Sequence, residues 1–312
     1  MLPEHNKLAL LPFGTPDVDF SAMAKDGNTQ SKRDKSHDFS VFRTGHSADP
    51  SALDIDVDVG RDAFLDPYPL ALFNPARVWE SLARAELEPR ILERNNLFTR
   101  TDESPAGPAF ELLRTRVAQA MAEKGWRRLG VTSPRHGCGK SFTAANLALS
   151  LARRPGSRTV LVDMDLRRPS LDHLLGLEPN GPLREFLDGS QPLESLFVRI
   201  GKSLAVGLNA TPLEDASDVL HAPDTADALA AMETQLDPEL TIFDLPPALV
   251  GDDVIAMAGK VDAVLLVIDG TKTTKRDISA CEALFDGKLP LLGVVLNRAQ
   301  DFGLSGLRYG KG

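Results

Sequence analysis

The chain has 312 residues, 42% of them hydrophobic and 25% charged, enough apolar material for a sizeable core in one large domain or two small ones. Its 35 basic and 44 acidic residues give a formal charge of −9. That balance disfavours sequence-independent binding to nucleic acid and adsorption to an anionic membrane surface.

The N-terminus lacks the basic, apolar, small-residue order of a signal peptide. No stretch reaches the ~18 apolar residues that would cross a bilayer; the longest apolar run is Ala263–Ile268. The expectation is a cytoplasmic protein. Residues 21–50 are polar and poor in branched apolar side chains, a composition expected to stay disordered. Leu53–Val59 (LDIDVDV) alternates apolar and acidic residues. It reads as a disordered acidic stretch, an exposed strand or a short acidic partner motif. The division expected is a mostly disordered N-terminal region, 1–85, ahead of one domain, 86–312.

A short helix is expected over Val78–Ala85 and a lead-in segment over Glu88–Thr99. Phe110, Leu113, Val117 and Met121 recur at helical spacing, which predicts an amphipathic helix over 108–124. Strands and helices then alternate. Strands are predicted at 128–133, 159–163, 203–208, 240–244, 262–268 and 291–296. Helices are predicted at 140–153, 169–176, 182–188, 213–220, 224–234, 252–259 and 274–286. Apolar runs alternating with amphipathic helices imply a mostly parallel, doubly wound α/β sheet.

Three segments carry chemistry. Gly130-Val-Thr-Ser-Pro-Arg135-His136-Gly137-Cys138-Gly139-Lys140-Ser141 joins a predicted strand to a predicted helix, the setting of a phosphate-binding P-loop. Its glycines let backbone N–H groups turn toward phosphates, and the helix N-terminus adds partial positive charge. Lys140 suits β- and γ-phosphates, and the Ser141 hydroxyl suits Mg²⁺. Pro134 stands where GxxxxGK[ST] begins with glycine. Val160-Leu-Val-Asp163-Met-Asp165 ends a strand in two carboxylates, and Leu240-Thr-Ile-Phe-Asp244 ends another in one. Strand C-terminal ends face the ligand crevice of an open α/β sheet. There Asp163 is placed to hold Mg²⁺ through water or to take a proton. The plainer alternative makes these acids turn residues and caps.

Together, SPRHGCGKS, VLVDMDLRRP and FDLPP resemble the deviant-Walker P-loop NTPases, and most of all the cytoplasmic ATPase domain of bacterial tyrosine kinases (BY-kinases). The segments AFELLRTR at 109–116, VDAVLLVID at 261–269 and LGVVLNR at 292–298 agree with that resemblance, which covers roughly residues 88–300. It implies ATP and Mg²⁺ as cofactors. Lys140, Asp163 and Asp165 would be catalytic. Ser141, Asp163 and Asp244 would serve the metal. Arg135, His136, Gly137, Cys138, Gly139, Lys140, Ser141, Phe142, Asn297 and Arg298 would hold the nucleotide, with Asn297 near the adenine. It also implies a membrane-embedded polysaccharide co-polymerase subunit as partner, bringing the chain to the inner membrane, and a homo-oligomer. No nucleic acid is expected.

Departures accompany the resemblance. The tyrosine cluster at the end of BY-kinases is missing, and only Tyr68 and Tyr309 are present. The oligomer-forming Glu-x-x-Arg-x-x-Arg pattern, placed over 108, 111 and 114, meets Pro108, Glu111 and Arg114. Two other readings stand beside a kinase: a partition or positioning ATPase of the ParA/MinD type, and a nucleotide-gated binding module with little turnover. ParA/MinD enzymes carry a signature Lys where this chain has Arg135. An iron–sulfur carrier needs a Cys-x-x-Cys pair, and the two cysteines, Cys138 and Cys281, lie far apart in sequence.

Overall fold

The computed structural model describes residues 9–10, 74–99, 106–209 and 211–299. The expectations for 21–50, for LDIDVDV and for Tyr309 fall outside the described residues. Among the described residues, nine strands form one sheet: β1 (Ala9–Leu10), β2 (Ala83–Ala85), β3 (Arg128–Thr132), β4 (Thr159–Asp163), β5 (Phe197–Ile200), β6 (Leu204–Gly207), β7 (Leu240–Asp244), β8 (Ala263–Asp269) and β9 (Leu291–Asn297). Their order is β1-β9-β8-β3-β7-β4-β6-β5-β2. From β9 to β6 every neighbouring pair is parallel. The β5–β6 and β1–β9 pairs are antiparallel.

The central strands β4, β7 and β8 are almost wholly apolar and fully buried because both faces are covered. Side chains alternate between two cores, as the two-residue strand period requires. Val160, Val162, Val264 and Leu266 enter one core, and Leu161, Leu265 and Val267 enter the other. The second core is closed by α3 (Gly107–Lys124) and α4 (Lys140–Ala152). On α3 the buried residues include Phe110, Leu113, Val117 and Met121, the spacing read from the sequence. That helix stops at Gly125, whose φ of 67° lies in the left-handed region. The Trp126 N–H then returns to the Met121 carbonyl at 2.9 Å. The first core is closed by α9 (Pro223–Leu236) and α11 (Lys275–Phe285) through Leu229, Met232, Cys281 and Phe285.

Two differences from the sequence reading lie at the β2 edge of the sheet. The helix placed over Val78–Ala85 is α1 (Pro75–Ser81), and the chain then forms β2. Asn74 caps α1 by accepting the Ala76 N–H at 3.0 Å. Residues 74–85, grouped with the N-terminal region by composition, thus add an edge strand and a buried tryptophan to the sheet. The second difference is β5, which has only four residues, too short for a periodic signal. It is held by register with Gly207 through Leu204 of β6. Glu111 and Arg114 of α3 turn inward within the chain. Glu111 pairs with Arg153 at 3.2 Å, and Arg114 donates to the Ser150 carbonyl at 3.4 Å.

Trp79 is 3% exposed, and its indole N–H donates to the Lys202 carbonyl at 3.0 Å. Trp79→Ala removes this anchor and leaves a cavity, so chemical denaturation should show a loss of about 3–5 kcal/mol.

Candidate functional site

The site is assembled at the carboxyl ends of β3, β4 and β7. The loop after β3 enters α4 through Gly137 and Gly139, with φ of 79° and 94°. A Cβ at Gly139 would also collide with the Asn297 side-chain amide. Glycine at 139 is therefore required twice, by backbone conformation and by contact. The first-turn N–H groups of α4 have no intrahelical acceptor, and they face the loop as an anion cradle.

Lys140 opens α4 and reaches the strand ends. Its Nζ lies 2.9 Å from Asp165 Oδ2 and 3.3 Å from Asp244 Oδ1. It also donates to Ser141 Oγ at 3.1 Å. Burial alone would lower the Lys140 pKa, but Asp244 and Asp165 outweigh it and hold the ammonium well above its usual range.

Asp163 and Asp244 are direct register partners on β4 and β7, and both are fully buried. Parallel pairing thus sets two carboxylates side by side in a dry place. Asp163 Oδ2 accepts the Ser170 and Leu171 N–H groups, each at 2.9 Å. Its Oδ1 is buried and unpaired. Burial, then the neighbouring Asp244 charge, push the Asp163 pKa up from 3.8 to about 7. Asp244 is raised by burial as well, against the opposing pull of Lys140.

This donor set fits a small hard cation. Three buried carboxylates face one buried lysine, so the cluster carries a surplus of negative charge when fully ionised. Asp163 Oδ1 lacks a partner, and hydroxyl and carboxylate oxygens suit Mg²⁺. The Ser141 hydroxyl lies beside them, 3.0 Å from Ser170 Oγ.

The structure divides the remaining sequence-predicted residues by role. Asn297 donates to the Cys138 carbonyl at 3.0 Å. Arg298, at a φ of 53°, donates to the Gly137 carbonyl at 2.8 Å and pairs with Asp269 at 2.6 Å. Both brace the loop from β9. Arg135 turns away and pairs with Asp277 at 2.9 Å. The Phe142 ring packs edge-on against Phe110, with centroids 5.7 Å apart. Arg135 and Phe142 therefore have only backbone amides to offer a phosphate. His136 is exposed at the loop tip, and Cys138 is buried.

Sequence reasoning missed Asp269, Ser170 and Thr273. Asp269 ends β8 as Asp163 ends β4, the one signal that could have found it. It accepts the Thr271 N–H and hydroxyl, and its own N–H donates to Thr273 Oγ1.

The native Asp163 carboxyl holds its proton more tightly than the unfolded one. Its contribution to stability is therefore greatest below the unfolded pKa of 3.8 and is lost as pH rises toward about 7. Asp163→Asn keeps an acceptor for the Ser170 and Leu171 N–H groups and removes the charge. Without nucleotide or metal, the variant should melt above the wild type at about pH 8, with the gap narrowing toward about pH 5.

The ParA family profile, described as NUBPL iron-transfer P-loop NTPase, matches residues 126–301. The putative tyrosine-protein kinase EpsB of Ralstonia solanacearum is 30% identical over 221 residues, covering 69% of this chain and 28% of EpsB. The chain thus spans little more than a quarter of that relative. The tyrosine-protein kinase CpsD of Streptococcus pneumoniae is 34% identical over 182 residues, covering 54% of this chain and 75% of CpsD. The kinase domain of the Escherichia coli tyrosine kinase ETK superposes with a TM-score of 0.57 at 26% identity, covering 65% of this chain and 80% of that domain. With a P-loop, strand-end aspartates and this sheet order in place, the chain belongs to the ParA family of P-loop NTPases, on the branch that includes the bacterial tyrosine-protein kinases.

Proposed function

We propose that the chain binds ATP with Mg²⁺ and catalyses phosphoryl transfer, as an ATPase or protein-tyrosine kinase, in the control of exopolysaccharide or capsule synthesis and export. The observation that carries this reading is Lys140 clasped between Asp165 and Asp244, beside the unpaired oxygen of Asp163. The P-loop lysine and a carboxylate oxygen without a partner among the described residues share one buried cluster.

The amides of the glycine loop and of the first turn of α4 would hold the phosphates. Ser141, Asp163 and Asp244 are the residues that would hold Mg²⁺, directly or through water. Bound there, the ion would supply charge neutralisation to the phosphates. Lys140 adds fixed positive charge where negative charge develops. Asp165 keeps the ammonium in place. Asp163, at the end of β4, is the residue that would accept the proton of an attacking hydroxyl. That hydroxyl belongs to a protein tyrosine, with Tyr309 of the chain's own tail one candidate, or to water.

The proposed partner is a membrane-embedded polysaccharide co-polymerase subunit. No helix among the described residues is long and apolar enough to cross a membrane, so attachment at the cytoplasmic face would come from that partner. The names of EpsB and CpsD support the kinase reading. Arg135 occupies the position of the ParA/MinD signature lysine, and its pairing with Asp277 argues against a positioning ATPase.

Incubation with γ-labelled ATP and Mg²⁺ tests the proposal. Wild type should release phosphate or label protein, and Lys140→Met should lower the rate by about 100-fold or more. Equal labelling and release by the two proteins would overturn it.

A further inference from the structure

A second charged cavity lies at the other end of the strands. Arg158 directly precedes β4, whose far end supplies Asp163, so the two positions are about 16 Å apart along the strand. The cavity has a volume of about 820 Å³ and is lined by Trp79, Arg84, Arg158, Arg199 and Lys202. Glu80 and Glu86 also line it, leaving four cations against two carboxylates. This basic surplus stands out in a chain of charge −9.

Arg199 is the unusual member. It is 7% exposed, and its Nε is buried without a hydrogen-bond partner among the described residues. Buried arginines are ordinarily paired, because an uncompensated buried charge is strongly unfavourable. Register aggravates the position. Arg84 of β2 and Arg199 of β5 are direct partners across a parallel pair. Their side chains share one face, where like charges repel. Arg158 is already engaged, with its guanidinium 5.6 Å from the Trp79 ring centre and donating to the Leu236 carbonyl at 3.3 Å. It screens nothing and adds to the positive field.

We propose that this cavity is a binding site for a phosphomonoester dianion, separate from the nucleotide site. Paired arginines present planar N–H forks that match phosphate oxygens. The surplus of two positive charges matches the dianion, and the remaining volume accommodates an organic body. The phosphate can belong to a soluble phosphorylated metabolite or to a lipid headgroup. Binding relieves the repulsion between Arg84 and Arg199.

Trp79 lines the cavity and reports on it. In a Trp126→Phe background saturated with Mg·ADP, glucose 1-phosphate is titrated as the soluble probe. Phosphatidylcholine vesicles with and without phosphatidic acid form the lipid arm. Saturable change in Trp79 fluorescence is expected in at least one arm, and that arm identifies the source of the phosphate. Arg84→Gln, at an exposed position, should weaken binding about tenfold or more. Arg199→Met should abolish it, leave ADP binding unchanged and melt no lower than wild type, because the Nε it removes is buried without a partner among the described residues. No saturable change with any probe, or equal affinity in both variants, would overturn the proposal.

Discussion

The structure turns on a buried charge cluster. Strands β4 and β7 run parallel in a register that sets Asp163 beside Asp244, and Lys140 enters from α4 to face them. Two carboxylates in a dry environment repel each other and are poorly solvated. The lysine compensates only part of that charge. What remains is a place that favours added positive charge, which is the property a site for a nucleotide–cation complex needs. Local instability is thus built into the fold at its functional end.

Much of the surrounding architecture holds the loop that presents Lys140. Gly139 brings the backbone so close to β9 that Asn297 takes its place where a side chain would be. Asn297 then holds the Cys138 carbonyl, and Arg298 holds the Gly137 carbonyl while pairing with Asp269. Residues about 160 positions later in the chain therefore set the shape of the loop. The two neighbouring strands β8 and β9 act as one shelf beneath it. A fixed loop spares the ordering that phosphate binding would otherwise demand.

Much of this was legible before the fold was known. The strand runs ending in aspartate, the glycine pattern and the 3.6-residue spacing on α3 each arise from local geometry, so they leave marks in sequence. Edge elements left weaker marks. The strands β2 and β5 have three and four residues, and pairing rather than propensity decides them. Trp79 fell in the short helix expected over Val78–Ala85, but nothing in the sequence marked its ring as buried or its N–H as paired with Lys202.

The sequence alone determined the doubly wound sheet and the P-loop, and through the family resemblance it suggested roles for Lys140, Ser141, Asp163, Asp165 and Asp244. Those depend on short-range order: a strand, a turn and a helix N-terminus in succession. Only tertiary structure decided where the side chains went. It sent Arg135 to Asp277, placed Phe142 in an aromatic core, and made Asn297 and Arg298 braces of the loop. It also left the Arg199 Nε buried beside Arg84 without a partner among the described residues. Strand register and long-range packing control these outcomes, and neither is encoded in any contiguous stretch of the chain.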